Sequence, residues 1–167
     1  MSNELDELLY RAAEDSVASL AFTLLVERQG PDHAPPGANG QSWAAEAAFA
    51  GPVSGKVVLV ADDAVLTALA EHMRCLPRIG NRKPEAFRRL LRTVCDHLLC
   101  ELAVGDTPGR VHPPRILGRI GPLDALSGPH AAGARLDLAD GTLELALFIH
   151  RYSANGRSSP SMAALRH

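Results

Sequence analysis

The sequence predicts a two-layer α+β fold, in which antiparallel hairpins form a sheet that packs against helices. Alternating apolar residues flank a Gly- and Pro-containing turn at residues 51–55 and a second turn at Asp140-Gly141, so both regions predict hairpins. Three other segments repeat apolar residues at spacings of three and four, which is typical of amphipathic helices. Hairpins with helices gathered on one face of the sheet give this fold class.

The predicted helices follow the three- and four-residue spacing, and two of them have clear boundary signals. They cover about residues 3–21, 65–73 and 84–104. Asp62 or Asp63 supplies an N-cap for the second helix, because a carboxylate there accepts a hydrogen bond from the first helical turn. The third helix begins at Pro84, a favoured residue of the first turn, and stops at Gly105.

The predicted strands are short apolar or alternating segments bounded by turn signals. They cover about residues 22–27, 43–49, 56–60, 115–120, 134–138 and 143–149. Residues 29–40 are rich in Gly and Pro and predict a loop, whereas Asp140-Gly141 is typical of a type I′ hairpin turn. We expect one domain over residues 1–152, and a flexible tail over residues 153–167, which have no core pattern.

The composition excludes several classes of protein. The 167 residues, 46% of them hydrophobic, suffice for one domain with its own core. The 17 basic and 19 acidic residues give a net charge of -2, which supplies no electrostatic reason to bind nucleic acid. No apolar segment approaches the roughly 20 residues that cross a membrane. The acidic start lacks a signal-peptide pattern, and three cysteines without a CxxC pair suit a reducing compartment, so we expect a cytoplasmic protein.

Two local patterns invite a ligand-binding interpretation that their spacing does not support. Residues 51–56 are similar to a phosphate-binding loop, but the motif is one residue short, and Lys56 leads into a strand instead of a helix. Cys95, His97 and Cys100 share one helix, but their spacing spreads them around it, and the sequence has no second ligand cluster. We therefore expect no metal site and no cofactor.

The predicted helix 84–104 has one apolar and one polar face at 100° per residue. The apolar face holds Phe87, Leu90, Leu91, Val94, Leu98 and Leu102. The opposite face holds Arg88, Arg89, Arg92, Thr93, Asp96 and Cys100. Two interpretations of this polar face stay open. It is a solvated surface with an exposed Arg92–Asp96 ion pair, or it is a docking surface for an anionic site on another protein, because three arginines project together.

Several segments, taken in order, resemble the CheC/CheX family of chemotaxis phosphatases. The matching segments are residues 49–59 (FAGPVSGKVVL), 66–73 (LTALAEHM), 87–104 and 111–117 (VHPPRIL), followed by the hairpin at Asp140-Gly141. They are similar to the family's strand pair, the helix after it, the active-site helix, the Pro-Pro segment and the closing strands. The resemblance extends over about residues 5–150.

The resemblance implies a small domain, homodimeric in CheX-like members, that binds a phosphorylated receiver domain such as CheY. In the family, one helix carries Glu-x-x-Asn. The asparagine amide orients a water for in-line attack on the aspartyl phosphate, and the glutamate pairs with a lysine of the receiver. Phosphoryl transfer depends mainly on such positioning and electrostatics.

The Glu-x-x-Asn signature is degenerate in this chain. Alignment on residues 113–114, with a deletion of about four residues in the loop before them, puts Thr93 at the glutamate position and Asp96 at the asparagine position. A rival alignment on the glycine after the helix gives Leu98 and Glu101, and it puts a leucine of the apolar face into the catalytic position. We prefer the first alignment, because both of its positions project from the polar face.

These substitutions imply a receiver-binding protein whose phosphatase activity is weakened or lost. Arg88, Arg89, Arg92 and Cys100 are the expected contacts with the receiver. Two alternatives stay open. The chain is an active aspartyl-phosphate phosphatase that uses Asp96, or it is a structural component related to flagellar switch proteins.

Overall fold

The computed structural model describes residues 2–21, 42–73, 82–103, 109–120 and 130–152. The helices within these ranges are α1 (Ser2–Ala21), α2 (Asp63–His72) and α3 (Arg82–Leu102). The strands are β1 (Ser42–Ala50), β2 (Val53–Asp62), β3 (Arg110–Val111), β4 (Arg115–Ile120), β5 (Ala132–Leu138) and β6 (Gly141–Tyr152). The three predicted helices and five of the predicted strands are therefore confirmed, with boundaries that move by at most a few residues. The predicted strand 22–27, loop 29–40 and tail 153–167 lie outside the described residues.

All six strands belong to one antiparallel sheet, in the order β3-β1-β2-β6-β5. β3 pairs with the last residues of β1, and β4 pairs with its first residues along the same edge. β2 and β6 form the centre of the sheet, where their pairing runs from Val53 opposite Tyr152 to Ala61 opposite Leu143. This open antiparallel sheet with helices confirms the predicted α+β class.

The core lies between one face of the sheet and the helices. Leu59, Leu145 and Leu147 face the helices from neighbouring strands, and each is at most 2% exposed. α3 packs against β1 and β2, whereas α1 packs against β5 and α3. α3 therefore has one side in the core and the other outside it. No helix in the described ranges is long and apolar enough to span a bilayer.

The first hairpin turn is shorter than predicted. Only Gly51 and Pro52 lie between the strands, whereas residues 53–55, which the sequence assigned to the turn, belong to β2. A Cβ at Gly55 would overlap the carbonyl oxygen of Phe148 on β6. This glycine therefore allows two strands to approach closely and does not form the turn.

The second hairpin turn is displaced by one residue from the prediction. Leu138 pairs with Gly141, so Ala139 and Asp140 form the connection and Gly141 is the first residue of β6. Gly141 has a φ of 146°, and a Cβ there would lie 2.8 Å from an oxygen of the Asp62 carboxylate. Glycine is needed at this position for both reasons.

The predicted side-chain cap of α2 is wrong. Asp62 occupies the N-cap position, but its carboxylate makes no hydrogen bond to the first turn of the helix. It accepts hydrogen bonds from the backbone N–H of Thr142 (2.9 Å) and from the Ser42 hydroxyl (3.2 Å). Asp62 therefore joins the ends of three strands.

Candidate functional site

The two faces of α3 are as the sequence predicts. Phe87, Leu90, Leu91, Val94 and Leu98 are each at most 1% exposed, and Leu102 is partly buried. The exposed residues of the other face are Arg88, Arg89, Arg92, Asp96 and Cys100, and Thr93 beside them is partly buried. We call these six residues the arginine face. The hydrophobic packing of the opposite side holds the face on a rigid helix.

The arginines of this face differ in their partners. Arg88 forms an ion pair with Glu85 at 3.6 Å, one turn earlier on the same helix. Arg89 and Arg92 form no ion pair with any of the described residues, and the expected pair between Arg92 and Asp96 does not form. Two guanidinium groups and one carboxylate are therefore available to an external partner.

Thr93 and Asp96 both lie on the arginine face, but they differ in what they can offer a partner. The Thr93 hydroxyl donates to the carbonyl of Arg89 at 2.8 Å, so its only proton is already used within the helix. Asp96 is exposed. Leu98 of the rival alignment is 0% exposed, so only the first alignment has both positions where another protein can reach them.

His97 has a hydrogen bond that the sequence did not reveal. Its Nδ1 lies 3.0 Å from the Oγ of Ser16 on α1, and Ser16 is 0% exposed. The Ser16 hydroxyl also donates to the carbonyl of Ala12 at 2.5 Å. In the sequence, His97 was considered only as a metal ligand. Its spacing of four residues from Thr93 could have indicated that it borders the arginine face.

Cys95 and Cys100 lie on different sides of α3. Cys95 is buried, and desolvation, aided by the nearby charge of Asp96, raises the pKa of its thiol to about 12. Cys100 is exposed. Cys95 therefore stays a thiol at neutral pH, whereas metal binding needs the thiolate. In the described part of the chain, no group of three or more His, Cys, Asp or Glu residues is arranged to hold a metal ion.

Charged residues elsewhere are joined to one another. On β1, Glu46 accepts hydrogen bonds from Arg115 of β4 and from Lys56 of β2. Burial opposes its ionisation, but these two cations outweigh burial and lower the pKa of Glu46. At the start of α2, the carboxylate of Asp63 accepts a hydrogen bond from the Trp43 indole N–H at 2.8 Å. It also forms an ion pair with Lys83.

Solved structures of CheX proteins are similar to this chain over most of its length. CheX from Vibrio vulnificus has a TM-score of 0.65 at 12% sequence identity, covering 88% of this chain and 97% of that one. CheX from Desulfovibrio desulfuricans has a TM-score of 0.60 at 11% identity, covering 88% of this chain and 99% of that one. A CheX–CheY–BeF3–Mg2+ complex from Borrelia burgdorferi has a TM-score of 0.55 at 13% identity, covering 87% and 97%.

The chain therefore has the fold of CheX and CheC-like chemotaxis proteins, as its resemblance to them implied. No protein-family model matches the sequence, and no curated protein matches it. The shared feature is the fold, because sequence identities of 11–13% reflect little conservation of individual residues.

Proposed function

We propose that this chain is a signalling protein that binds a phosphorylated CheY-type receiver domain through the arginine face, with phosphatase activity that is weak or lost. The observation that carries this proposal is the pair Arg89 and Arg92. Both are exposed on one side of a rigid helix, and neither has an ion-pair partner among the described residues.

Charge complementarity supports a receiver as the partner. An aspartyl phosphate carries negative charge, and unpaired guanidinium groups bind phosphate and carboxylate oxygens in a bidentate geometry. Such charges also speed the encounter between partners and fix its orientation. The Borrelia burgdorferi complex is an instance of a protein with this fold bound to CheY together with BeF3 and Mg2+.

The residues at the proposed catalytic positions explain why hydrolysis is expected to be slow. An asparagine amide can orient a water without carrying charge, whereas the carboxylate of Asp96 is repelled by the phosphoryl group that the water must attack. Thr93 is too short for the ion pair that a glutamate would form, and its hydroxyl is bonded to the Arg89 carbonyl. Binding is therefore retained while the positioning of water is lost.

The experiment is the decay of a phosphorylated CheY-type receiver from the same organism, alone, with the natural chain, and with the double variant Thr93→Glu, Asp96→Asn. The natural chain is expected to leave the decay within about twofold of the receiver's own rate. The double variant is expected to speed decay by about 100-fold, the lower end of the range for a positioned catalytic group. Binding of each protein to the receiver with BeF3 and Mg2+ is measured in parallel.

The outcomes separate the alternatives. Rapid decay with the natural chain would contradict the loss of activity and favour a phosphatase that uses Asp96. Acceleration by the double variant alone supports both the alignment and the proposed receiver binding. Absence of binding by both proteins would overturn receiver binding and leave the structural alternative related to flagellar switch proteins.

A homodimer stays a prediction. β5 lies at one edge of the sheet, where a strand of a second copy could pair with it. One backbone donor of this edge is already used, because the N–H of Gly133 donates to the carboxylate of Asp6 on α1 at 2.8 Å. Any pairing along β5 must therefore leave this contact in place or replace it.

A further inference from the structure

His97 lies at the border of the arginine face, where α3 meets α1. We infer that His97 is a further contact residue of this face: its Nε2 accepts a hydrogen bond from the bound receiver, and Ser16 is the positioning residue that holds the ring. This inference rests on the receiver binding proposed above and adds two residues outside the Glu-x-x-Asn signature.

The hydrogen bonds of Ser16 fix which nitrogen of His97 carries the proton. A carbonyl oxygen can only accept, so the single hydroxyl proton of Ser16 is donated to Ala12. The contact between Ser16 Oγ and His97 Nδ1 then requires the Nδ1–H group as donor. In the neutral imidazole, Nε2 consequently has no proton and presents a lone pair.

The Nε2 atom is accessible to a partner. His97 is partly buried, and Nε2 has no hydrogen-bond partner among the described residues. No buried side-chain nitrogen or oxygen atom in that part of the chain lacks a partner, so Nε2 is not fully buried. Helical side chains lean toward the N-terminus, which brings the ring over the turn that contains Thr93.

The chemistry of this corner of the face differs from that of the arginines. Arg89 and Arg92 can only donate hydrogen bonds, and the Thr93 hydroxyl proton is already used. A fixed imidazole acceptor beside them suits an N–H or O–H donor of the receiver. Because Ser16 is buried and bonded to its own helix, the ring is held before the partner arrives, which lowers the entropy lost on binding.

The test uses the binding of a CheY-type receiver of the same organism, loaded with BeF3 and Mg2+, by titration calorimetry. In His97→Asn the amide nitrogen takes the place of Nδ1 and keeps the bond to Ser16, but the variant has no atom at the Nε2 position. We expect its Kd to rise about five- to tenfold, the size of one hydrogen bond, with an unchanged melting temperature. His97→Gln places an amide oxygen near the Nε2 position, so it is expected to bind more tightly than His97→Asn.

Ser16→Ala tests the positioning role. It is expected to raise the Kd by less than His97→Asn does, because the ring stays present but is no longer held. When Ser16→Ala is combined with His97→Asn, the Kd should rise no further, because Ser16 acts by holding the imidazole, which His97→Asn removes. His72→Asn, at an exposed histidine of α2, is the matched control and should leave the Kd unchanged.

The possible failures are distinguishable. If the natural chain binds and His97→Asn binds equally well, the role of His97 is overturned while receiver binding stands. If His97→Asn also lowers the melting temperature by several degrees, the imidazole ring is needed for the fold. If His97→Gln binds more weakly than His97→Asn, an acceptor at the Nε2 position is not what the receiver contacts. Either result overturns the inference. If the natural chain does not bind the receiver, both this inference and the proposed function are overturned.

Discussion

Two charged regions of this molecule use their charges in opposite ways. On the sheet, Glu46 is held by Lys56 and Arg115, so three charged residues of three strands satisfy one another. On the arginine face of α3, Arg89 and Arg92 have no ion-pair partner among the described residues. The comparison indicates that the sheet cluster serves the fold, whereas the arginine face is available for binding.

Exposure explains why the two regions can differ. The Glu46 side chain is only 21% exposed, so its charge needs partners to offset the loss of solvent. Exposed arginines are solvated by water and gain little from intramolecular pairing, since surface ion pairs contribute only about 0–1 kcal/mol. Leaving Arg89 and Arg92 unpaired therefore costs the fold almost nothing and preserves them for a partner.

Reversal of the two unpaired charges should give the largest effect. In Arg89→Glu, Arg92→Glu, two carboxylates face the acidic site of the receiver, and we expect the Kd for the BeF3-loaded receiver to rise about 100-fold, or about 2.8 kcal/mol. Stability should change by less than about 0.5 kcal/mol, as for other exposed residues. Arg11→Glu on α1 is a control for charge reversal at an exposed arginine outside this face, although Arg11 pairs with Glu7 of its own helix. Equal binding by the double variant and the natural chain would show that the arginine face is not the docking surface.

Loss of a charge that is used within the fold should affect stability and spare binding. Asp62→Ala removes the acceptor of the Thr142 N–H and of the Ser42 hydroxyl. We expect a loss of about 2 kcal/mol, which lowers the melting temperature by about 4–8 °C in a chain of this size. Asp62→Asn, which keeps a carbonyl acceptor, should lose less. An equal melting temperature for Asp62→Ala and the natural chain would contradict this assignment.

The smallest effect is expected from Glu46→Gln, and it should depend on pH. The folded protein lowers the pKa of Glu46, so its carboxylate contributes stability above the unfolded pKa and loses that contribution as pH falls through the folded pKa. Urea unfolding should show the variant about 0.5–1 kcal/mol less stable at pH 7, with the difference vanishing in acid. A difference that stays constant with pH would mean that the charge of Glu46 is unimportant.

The elements that were predicted well are those whose signals are local. The two faces of α3 follow from residue spacing alone, because an amphipathic helix shows its buried side in its sequence. The turn errors share one cause. Gly55 and Gly141 are glycines because Phe148 and Asp62 approach them from distant parts of the chain, and the sequence cannot distinguish such a glycine from a turn glycine.

The candidate site shows the same division. The arginines, Thr93 and Asp96 could be placed on one face from the sequence, whereas the partners of their side chains could not. The expected Arg92–Asp96 pair does not form, since spacing of four permits an ion pair on a helix but does not require one. The role inferred for His97 depends on its contact with Ser16, which is 81 residues away in the sequence.

The sequence by itself determined the α+β class, the helices and hairpins, and the polar face on which three arginines project, because these depend on periodicity within one segment. Only the tertiary structure decided which charges are paired, which glycines permit close approach, and which nitrogen of His97 contacts Ser16. These properties depend on atoms brought together from distant segments, and their distances are fixed only when the sheet and the helix layer pack against each other.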